Sequence, residues 1–416
     1  MGEYVARGVA WQYNRIFWEV FVDDRRESIF GQWALLFVLT GAHFVVDCFP
    51  GLMHTLLPRI QTSFGLSIAR GGMLLTIFLL ACNGIQVLIG HRRAEKTRPM
   101  FMYIGFSLTV TIGAIAFLPR TAGMSGAIAA LLVLCGVGVG MTHPEMLRAL
   151  HKLGGISSAV GTSVFMAGGV GGFAGGGWIS TSLVERWDFA GLGVFCVLAV
   201  LAVVALAVSG VRLAVEKKED ADCRDKTARL GVSFWPVFVM AVLAGLSTAA
   251  LIWATPQILH DAGFALTKGG VSVMLFSLSG GLGGMLAARY AARRGELLVC
   301  GLMLAAGLPF AAGYAVWVRQ GWAMWLLAAA GLLCYGAYPI MVSLARQSRG
   351  GNLGRRMGLM VGGTWLIASF VPMLLGPVAQ AVGLHLIIAL APAGYAVSAM
   401  LIGYVLLKRR KAGGAL

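Results

Sequence analysis

A chain of 416 residues that is 58% hydrophobic and 12% charged is too apolar for a single soluble core, since ordinary soluble domains carry about a quarter charged residues. Its formal net charge of +16 would suit nucleic acid, but the basic residues alternate along the chain with apolar stretches. That pattern points to membrane topology and to contact with anionic lipid head groups, and nucleic acid is set aside.

The first 31 residues are interrupted by Arg7, Arg15, Asp23 and Asp24 and do not read as a cleavable signal peptide. Trp11, Arg15, Phe17, Trp18 and Phe21 mix aromatic and basic character at roughly helical spacing, which suits a short interfacial helix or a disordered tail. Apolar stretches of about 20 residues, the length that crosses about 30 Å of hydrocarbon as a helix, then recur along the chain. They fall at 32–54, 70–90, 99–119, 122–144, 156–181, 189–211, 232–256, 268–288, 296–316, 320–343, 354–378 and 384–407. With the amino terminus inside, 27 of the 33 Lys and Arg residues lie on cytoplasmic segments, so both termini are expected in the cytoplasm. The segment 212–231, RLAVEKKEDADCRDKTARLG, is the longest charged stretch between spans and has six spans on each side. The expected organisation is an amino-terminal segment 1–31, a bundle 32–211, a linker 212–231, a second bundle 232–407 and a cytoplasmic tail 408–416.

The two bundles echo each other. LLPRIQTSFGLSIARGGMLL from Leu56 matches WATPQILHDAGFALTKGGVSVML at a constant offset: Pro58 to Pro256, Gly65 to Gly263, Arg70 to Lys268, and Gly71-Gly72 to Gly269-Gly270. Duplicated six-span halves are how many secondary transporters build bundles that rock against one another. The 58 glycines cluster within spans, as GVGVG at 136–140, GGVGGFAGGG at 168–177 and GGLGG at 280–284. Such faces permit close helix packing, either static or sliding. Six of the seven cysteines fall inside spans with no disulfide or metal spacing.

Ionisable groups inside spans are costly and mark candidate sites. Asp47 is the only acidic residue well inside a span, and His43, four residues earlier, shares its helix face. The pair suits a proton that comes and goes as access alternates, or a buried structural pair. Pro50 and Pro58 mark the same span as a kinked or discontinuous helix. At the inner end of the fourth span, GMTHPEMLRALHK holds His143, Glu145 and Arg148, an inner gate or substrate contact or else a helix-end anchor. Its counterpart YGAYP in the tenth span has Tyr338 in place of His143, while Ala241 and Gly245 stand for His43 and Asp47. Asn83, Gln86, Trp253, Tyr335, Tyr338 and Trp365 are candidate cavity-lining residues. No phosphate-binding loop of the form GxxxxGK(S/T) is present, so an ion gradient or no energy source is expected, with no cofactor, no metal and no enzymatic chemistry.

The residues from His43 to Phe78, GVGMTHPEMLRAL from Gly138, SSAVGTSVFMAGGVGGFAGG from Ser157 and LMVGGTWLIASFVPMLLGPVAQAVG toward Gly383 resemble the major facilitator superfamily and, within it, the fosmidomycin resistance group. The resemblance implies an all-α membrane protein of twelve helices in two pseudo-symmetric six-helix bundles, with a central cavity lined by the first, fourth, seventh and tenth helices. It also implies proton-coupled export of small molecules from the inner membrane by antiport, with His43, Asp47, His143, Pro144 and Glu145 at the positions of the family's motifs. The sequence departs from the family's loop signature at GHRRAEKTRP from Gly90 and at Ala292, and from its fifth-helix pattern at Met166 and Val170. The reading is a monomeric, proton-coupled exporter of a small organic solute. Its alternatives are an uncoupled facilitator or importer, and a membrane assembly protein that keeps the fold.

Overall fold

The computed structural model describes residues 28–92, 96–214, 232–350 and 353–411, so the amino-terminal segment, most of the charged linker and the end of the tail lie outside the described residues. Among the described residues, the extended backbone pairs only at an isolated bridge between Ser233 and Arg349. Everything else that is regular is helix.

The first half contains α1 (Ile29–Phe64), α2 (Ile68–Arg92), α3 (Met100–Thr109, prolonged by the 3-10 segment Val110–Phe117), α4 (Ser125–His151), α5 (Ser158–Trp187) and α6 (Gly193–Ser209). In the second half, α7 (Phe234–Asp261), α8 (Leu266–Arg294) and α9 (Glu296–Trp317) are regular. The next helix, α10, is Met324–Leu333 and Tyr338–Gln347 joined through Tyr335–Ala337. In α11, Leu353–Gly358 leads through a π-helical turn, Leu359–Gly363, to Thr364–Ala368 and Val371–Val382. Leu384–Leu390 and Ala393–Lys411 make α12.

Among the described residues, eleven apolar helical stretches are long enough to cross a membrane, and one of them, Val160–Ser209, is 50 residues long. It is two passes: the helix breaks at Asp188, whose φ of 49° and ψ of −155° are not helical. Gly191 then packs on the Leu183 carbonyl so closely that a Cβ there would lie 2.7 Å from the oxygen. The result is twelve membrane-spanning helices. Phe117, Val208, Met285 and Val316 are among the large apolar side chains exposed on the outside, as a hydrocarbon surrounding requires.

α1 departs from its sequence expectation. It covers 36 residues, longer than the predicted 32–54, and runs as one helix through Pro50 and Pro58. Ser28 Oγ accepts the Gly31 N–H at its start, and Gly65, at φ 62°, closes its end. Gly263, the repeat partner of Gly65, likewise has positive φ, 82°, just beyond α7. The sequence repeat is thus partly a repeat of backbone geometry that glycine alone adopts without strain.

The halves join along two seams related by the repeat. In one, α2 meets α11: a Cβ on Gly72 would lie 2.2 Å from the Pro372 carbonyl oxygen, and the Thr76 hydroxyl donates to the Ser369 carbonyl at 2.9 Å. In the other, α5 meets α8: a Cβ on Gly270, the repeat partner of Gly72, would lie 2.7 Å from the Gly177 carbonyl oxygen. Each seam ends in a side chain that caps a helix of the other half. Gln380 Oε1 accepts the Ala69 N–H at 3.4 Å, and Glu185 Oε1 accepts the Thr267 N–H at 3.1 Å. These approaches run from mid-helix, at Asn83–Ser369 and Val170–Gly281, to the end opposite the chain termini. The bundles are therefore closed against each other at that far end.

Candidate functional site

Asp47 lies near the middle of α1 and is the centre of a three-residue cluster. His43, one turn earlier on the same helix, places Nε2 3.2 Å from Asp47 Oδ2. His143 from α4 places Nε2 2.9 Å from Asp47 Oδ1. Sequence spacing pairs His43 with Asp47, and the fold adds His143 to them. The far nitrogen of each imidazole is tied to the main chain, His43 Nδ1 to the Phe165 carbonyl and His143 Nδ1 to the Val139 carbonyl, both at 2.9 Å. A carbonyl can only accept, so both Nδ1 atoms carry hydrogen and both Nε2 atoms are the ones presented to the carboxylate. The three donor atoms all lie within 4.8 Å of one another, close enough to share a cation. The N···O separations are already those of hydrogen-bonded pairs, and protons suffice to hold the group together.

Gly169 on α5 makes room for this cluster. A Cβ there would lie 2.5 Å from His43 Cε1 and 2.6 Å from Asp47 Oδ2, so any larger residue would displace both. The Phe165 ring stacks on His43 with centroids 4.0 Å apart. His43 is nearly closed off, but the side chains of Asp47 and His143 remain 20% and 17% exposed in mid-bundle. The carboxylate is therefore not sealed inside the bundle.

The second half presents a different wall. Tyr335 stacks on Phe276 with ring centroids 5.4 Å apart, and both Tyr335 and Tyr338 meet the Trp365 ring nearly edge-on, at 6.3 and 5.4 Å. Tyr335, Tyr338 and Trp365 are all partly exposed, and the Tyr338 hydroxyl donates to the Met360 carbonyl within the π-helical turn of α11. The aromatic group and the cluster adjoin through α8: Gly280 packs on the Tyr335 ring, and Gly281 beside it packs on Val170, the neighbour of Gly169.

The remaining candidates are distributed elsewhere. Trp253 is completely buried, and its indole Nε1 has no partner among the described residues. Asn83 donates to Ser369 Oγ at 3.0 Å, joining α2 to α11, and Gln86, one turn further along α2, is partly exposed. Glu145 Oε2 accepts the Met102 N–H in the first turn of α3, the role of a helix cap. Arg148 donates to the carbonyls of Lys96 and Ala214, pinning the chain that leaves α6 against the start of α3. One sequence motif, His143 to Arg148, thus contributes to two places, the mid-bundle cluster and the basic end.

Gly169 and the carbonyls of Phe165 and Val139 are absent from a reading by residue chemistry. The only trace of Gly169 in the sequence is the run GGVGGFAGGG, where it looks like any other packing glycine.

Twelve helices in two related halves, with an ionisable cluster in the middle of the first, are the frame of a membrane carrier. The chain matches the Major Facilitator Superfamily over residues 39–371 and belongs to that family. It is similar to the fosmidomycin resistance protein of Escherichia coli (strain K12), 27% identical over 173 residues that cover 42% of this chain and 42% of that protein's length. In fold it is similar to a bacterial homologue of the human lysosomal transporter Spinster in an inward-facing, unoccupied conformation, with a TM-score of 0.71 and 13% identity over 90% of this chain and 97% of the other. The nucleoside transporter NupG is similar too, with a TM-score of 0.68 and 14% identity over 89% of this chain and 99% of the other.

Proposed function

We propose that this chain exports a small organic solute across the cell membrane by alternating access, in exchange for protons. The carrying observation is the mid-bundle carboxylate of Asp47, flanked by His43 and His143 and still 20% exposed. A carboxylate inside a span is retained at considerable cost unless it serves transport or pairing, and here its partners are the groups best suited to exchange protons near neutral pH. In this reading Asp47 and the two imidazoles bind the coupling protons, Tyr335, Tyr338 and Trp365 face the solute, and Glu145 and Arg148 brace the basic end. The bundles 32–211 and 232–407 rock about the two seams as a monomer, with both termini in the cytoplasm of an inner-membrane protein. Similarity to a protein named for drug resistance favours the outward direction.

The test compares survival across a panel of drugs and metabolites, fosmidomycin included, in cells expressing the wild type or Asp47→Asn at equal membrane abundance. Protection by the wild type that falls at least about tenfold in the mutant, and that vanishes when the proton gradient is collapsed, is the expected result. Equal protection by both proteins would remove Asp47 from the mechanism.

A further inference from the structure

We infer that the solute exchanged at this site is an organic cation with an aromatic or apolar body, and that it displaces up to two protons from the His43–Asp47–His143 cluster. The inference rests on the proton-exchange reading above and names its substrate class.

The proton count follows from the hydrogen-bond directions. Both Nδ1 atoms donate to main-chain carbonyls, so a neutral imidazole at either position would present a bare lone pair at Nε2. A bare lone pair facing an ionised carboxylate oxygen at 2.9 or 3.2 Å is repulsive, and each of these contacts is attractive only with a proton in it. Two contacts require two protons. Whether both sit on imidazoles or one sits on the carboxyl, the closed cluster carries a charge of +1, and stripped of both protons it carries −1.

Among the described residues, no other charged side chain pairs with the cluster. Asp47 forms its ion pairs and hydrogen bonds among the described residues with the two imidazoles alone. The titratable side chains near it include Cys48 on α1, Cys82 on α2 and Tyr335 on α10, thiols and a phenol that are ordinarily neutral at physiological pH. From α5 the cluster meets the Phe165 ring and carbonyl and the backbone at Gly169, and from α4 the Val139 carbonyl.

A site that is negative only when empty of protons binds a cation in their place. An anion would bind best while both protons are present and would travel with them, which is co-transport rather than exchange. Exchange therefore selects a cationic solute. The opposing wall of Tyr335, Tyr338 and Trp365 suits such a guest, because aromatic faces attract cations once both are withdrawn from water. No atoms change bonding partners other than the protons, which leave Nε2 or the carboxyl for water as the cation enters.

The test is calorimetric binding to the purified, full-length protein in buffers of different ionisation enthalpy, from about pH 5.5 to 8.5, with tetraphenylphosphonium and benzyltrimethylammonium as cations and phenylphosphonate as the anion. Saturable binding of at least one cation is expected, with one to two protons released per cation and affinity rising with pH, by up to about tenfold per pH unit for each proton displaced. Asp47→Asn should abolish both binding and release. Trp365→Leu should weaken cation binding about 5- to 30-fold while leaving the protons released per cation unchanged, which keeps the claim open to test if the Asp47 variant does not fold. Phenylphosphonate binding with proton uptake, and no cation binding, would overturn the substrate class and leave proton coupling standing. Binding of any probe with no proton exchanged at any pH would overturn both, and failure of both cations to bind would overturn the class.

Discussion

The two halves share a backbone plan and carry opposite chemistry on it. In the first half α1 supplies the side chain, Asp47, and α5 supplies the space, Gly169, whose Cβ would lie 2.6 Å from the carboxylate. In the second half α7 supplies the space, Gly245, and α11 supplies the side chain, Thr364, whose Cγ2 would lie 2.9 Å from a Cβ on that glycine. The main-chain bonding differs between the copies: His143 Nδ1 uses the Val139 carbonyl of its own helix, whereas Tyr338, which stands in its place, donates to the Met360 carbonyl on α11. A duplicated frame thus keeps a close glycine approach in each half while one copy becomes titratable and the other aromatic. Asymmetry of this kind puts the ionisable cluster in one half and the aromatic group in the other, which is the division of labour the proposed exchange requires.

The harshest way to break the comparison is to give the second half its own carboxylate. Gly245→Asp would place a charge against Thr364, in a half where Ala241 and Tyr338 replace the two histidines. With no imidazole to share its proton, an ionised carboxylate left there costs about 3–5 kcal/mol, comparable with much of a domain's stability. The expected outcome is loss of monodisperse protein in detergent, or a thermal midpoint lowered by many degrees. Adding His at 241 as well should recover part of the loss, and equal stability of Gly245→Asp and wild type would deny that the second half is closed to charge.

A gentler pair of changes compares the two glycine contacts. Gly169→Ala forces the His43 ring and Asp47 apart, at about 1–3 kcal/mol for overpacking, partly offset by the better helix propensity of alanine, up to about 1 kcal/mol. Stability should change little, while proton-linked transport should fall at least about tenfold, since the N···O contacts that hold the protons are the ones displaced. Thr364→Ala, at the corresponding place in α11, removes a small group from the Gly245 contact and should leave proton linkage unaltered. Transport assayed in proteoliposomes beside thermal unfolding separates the two variants. Equal loss of transport in both would mean that the cluster has no special dependence on the space at Gly169.

Much of the fold is legible in the sequence because lipid allows few solutions: twelve apolar stretches predict twelve helices, and the His43–Asp47 spacing predicts a contact within one turn. Local signals narrow less where tertiary packing decides. Pro50 and Pro58 suggest a kinked or discontinuous helix, and of these the discontinuity is absent: α1, packed against α5 and its other neighbours, continues through both. His143, Glu145 and Arg148 are close in sequence and look like one cluster. Helix phase instead sends His143 to mid-bundle, while Glu145 and Arg148 turn to the backbone at the basic end. Gly169 was hidden for a different reason: its contribution is the absence of a side chain, and its meaning depends entirely on what the fold sets beside it.

The finest comparison concerns the two far-end caps, which the repeat places on equivalent helices. Glu185 offers a carboxylate to the first turn of α8 at 3.1 Å, whereas Gln380 offers a neutral amide to the first turn of α2 at 3.4 Å. A negative charge near a helix amino terminus is favoured by about 0.3–1 kcal/mol when exposed, and the benefit declines with salt, while a long neutral hydrogen bond contributes less. Both contacts cross between the halves and exist only while the far end is closed, so each biases the carrier toward the closed state by its own small amount. Labelling of single cysteines placed on the facing helix ends, in the cysteine-free protein, reads that bias. Glu185→Ala should raise far-end accessibility about two- to fivefold at low salt and less at high salt. Gln380→Ala should raise it by under about twofold with no dependence on salt. If the two variants behave alike at every salt concentration, charge plays no part in the seal, and the glycine-lined seams at Gly72 and Gly270 hold the far end closed without help from the caps.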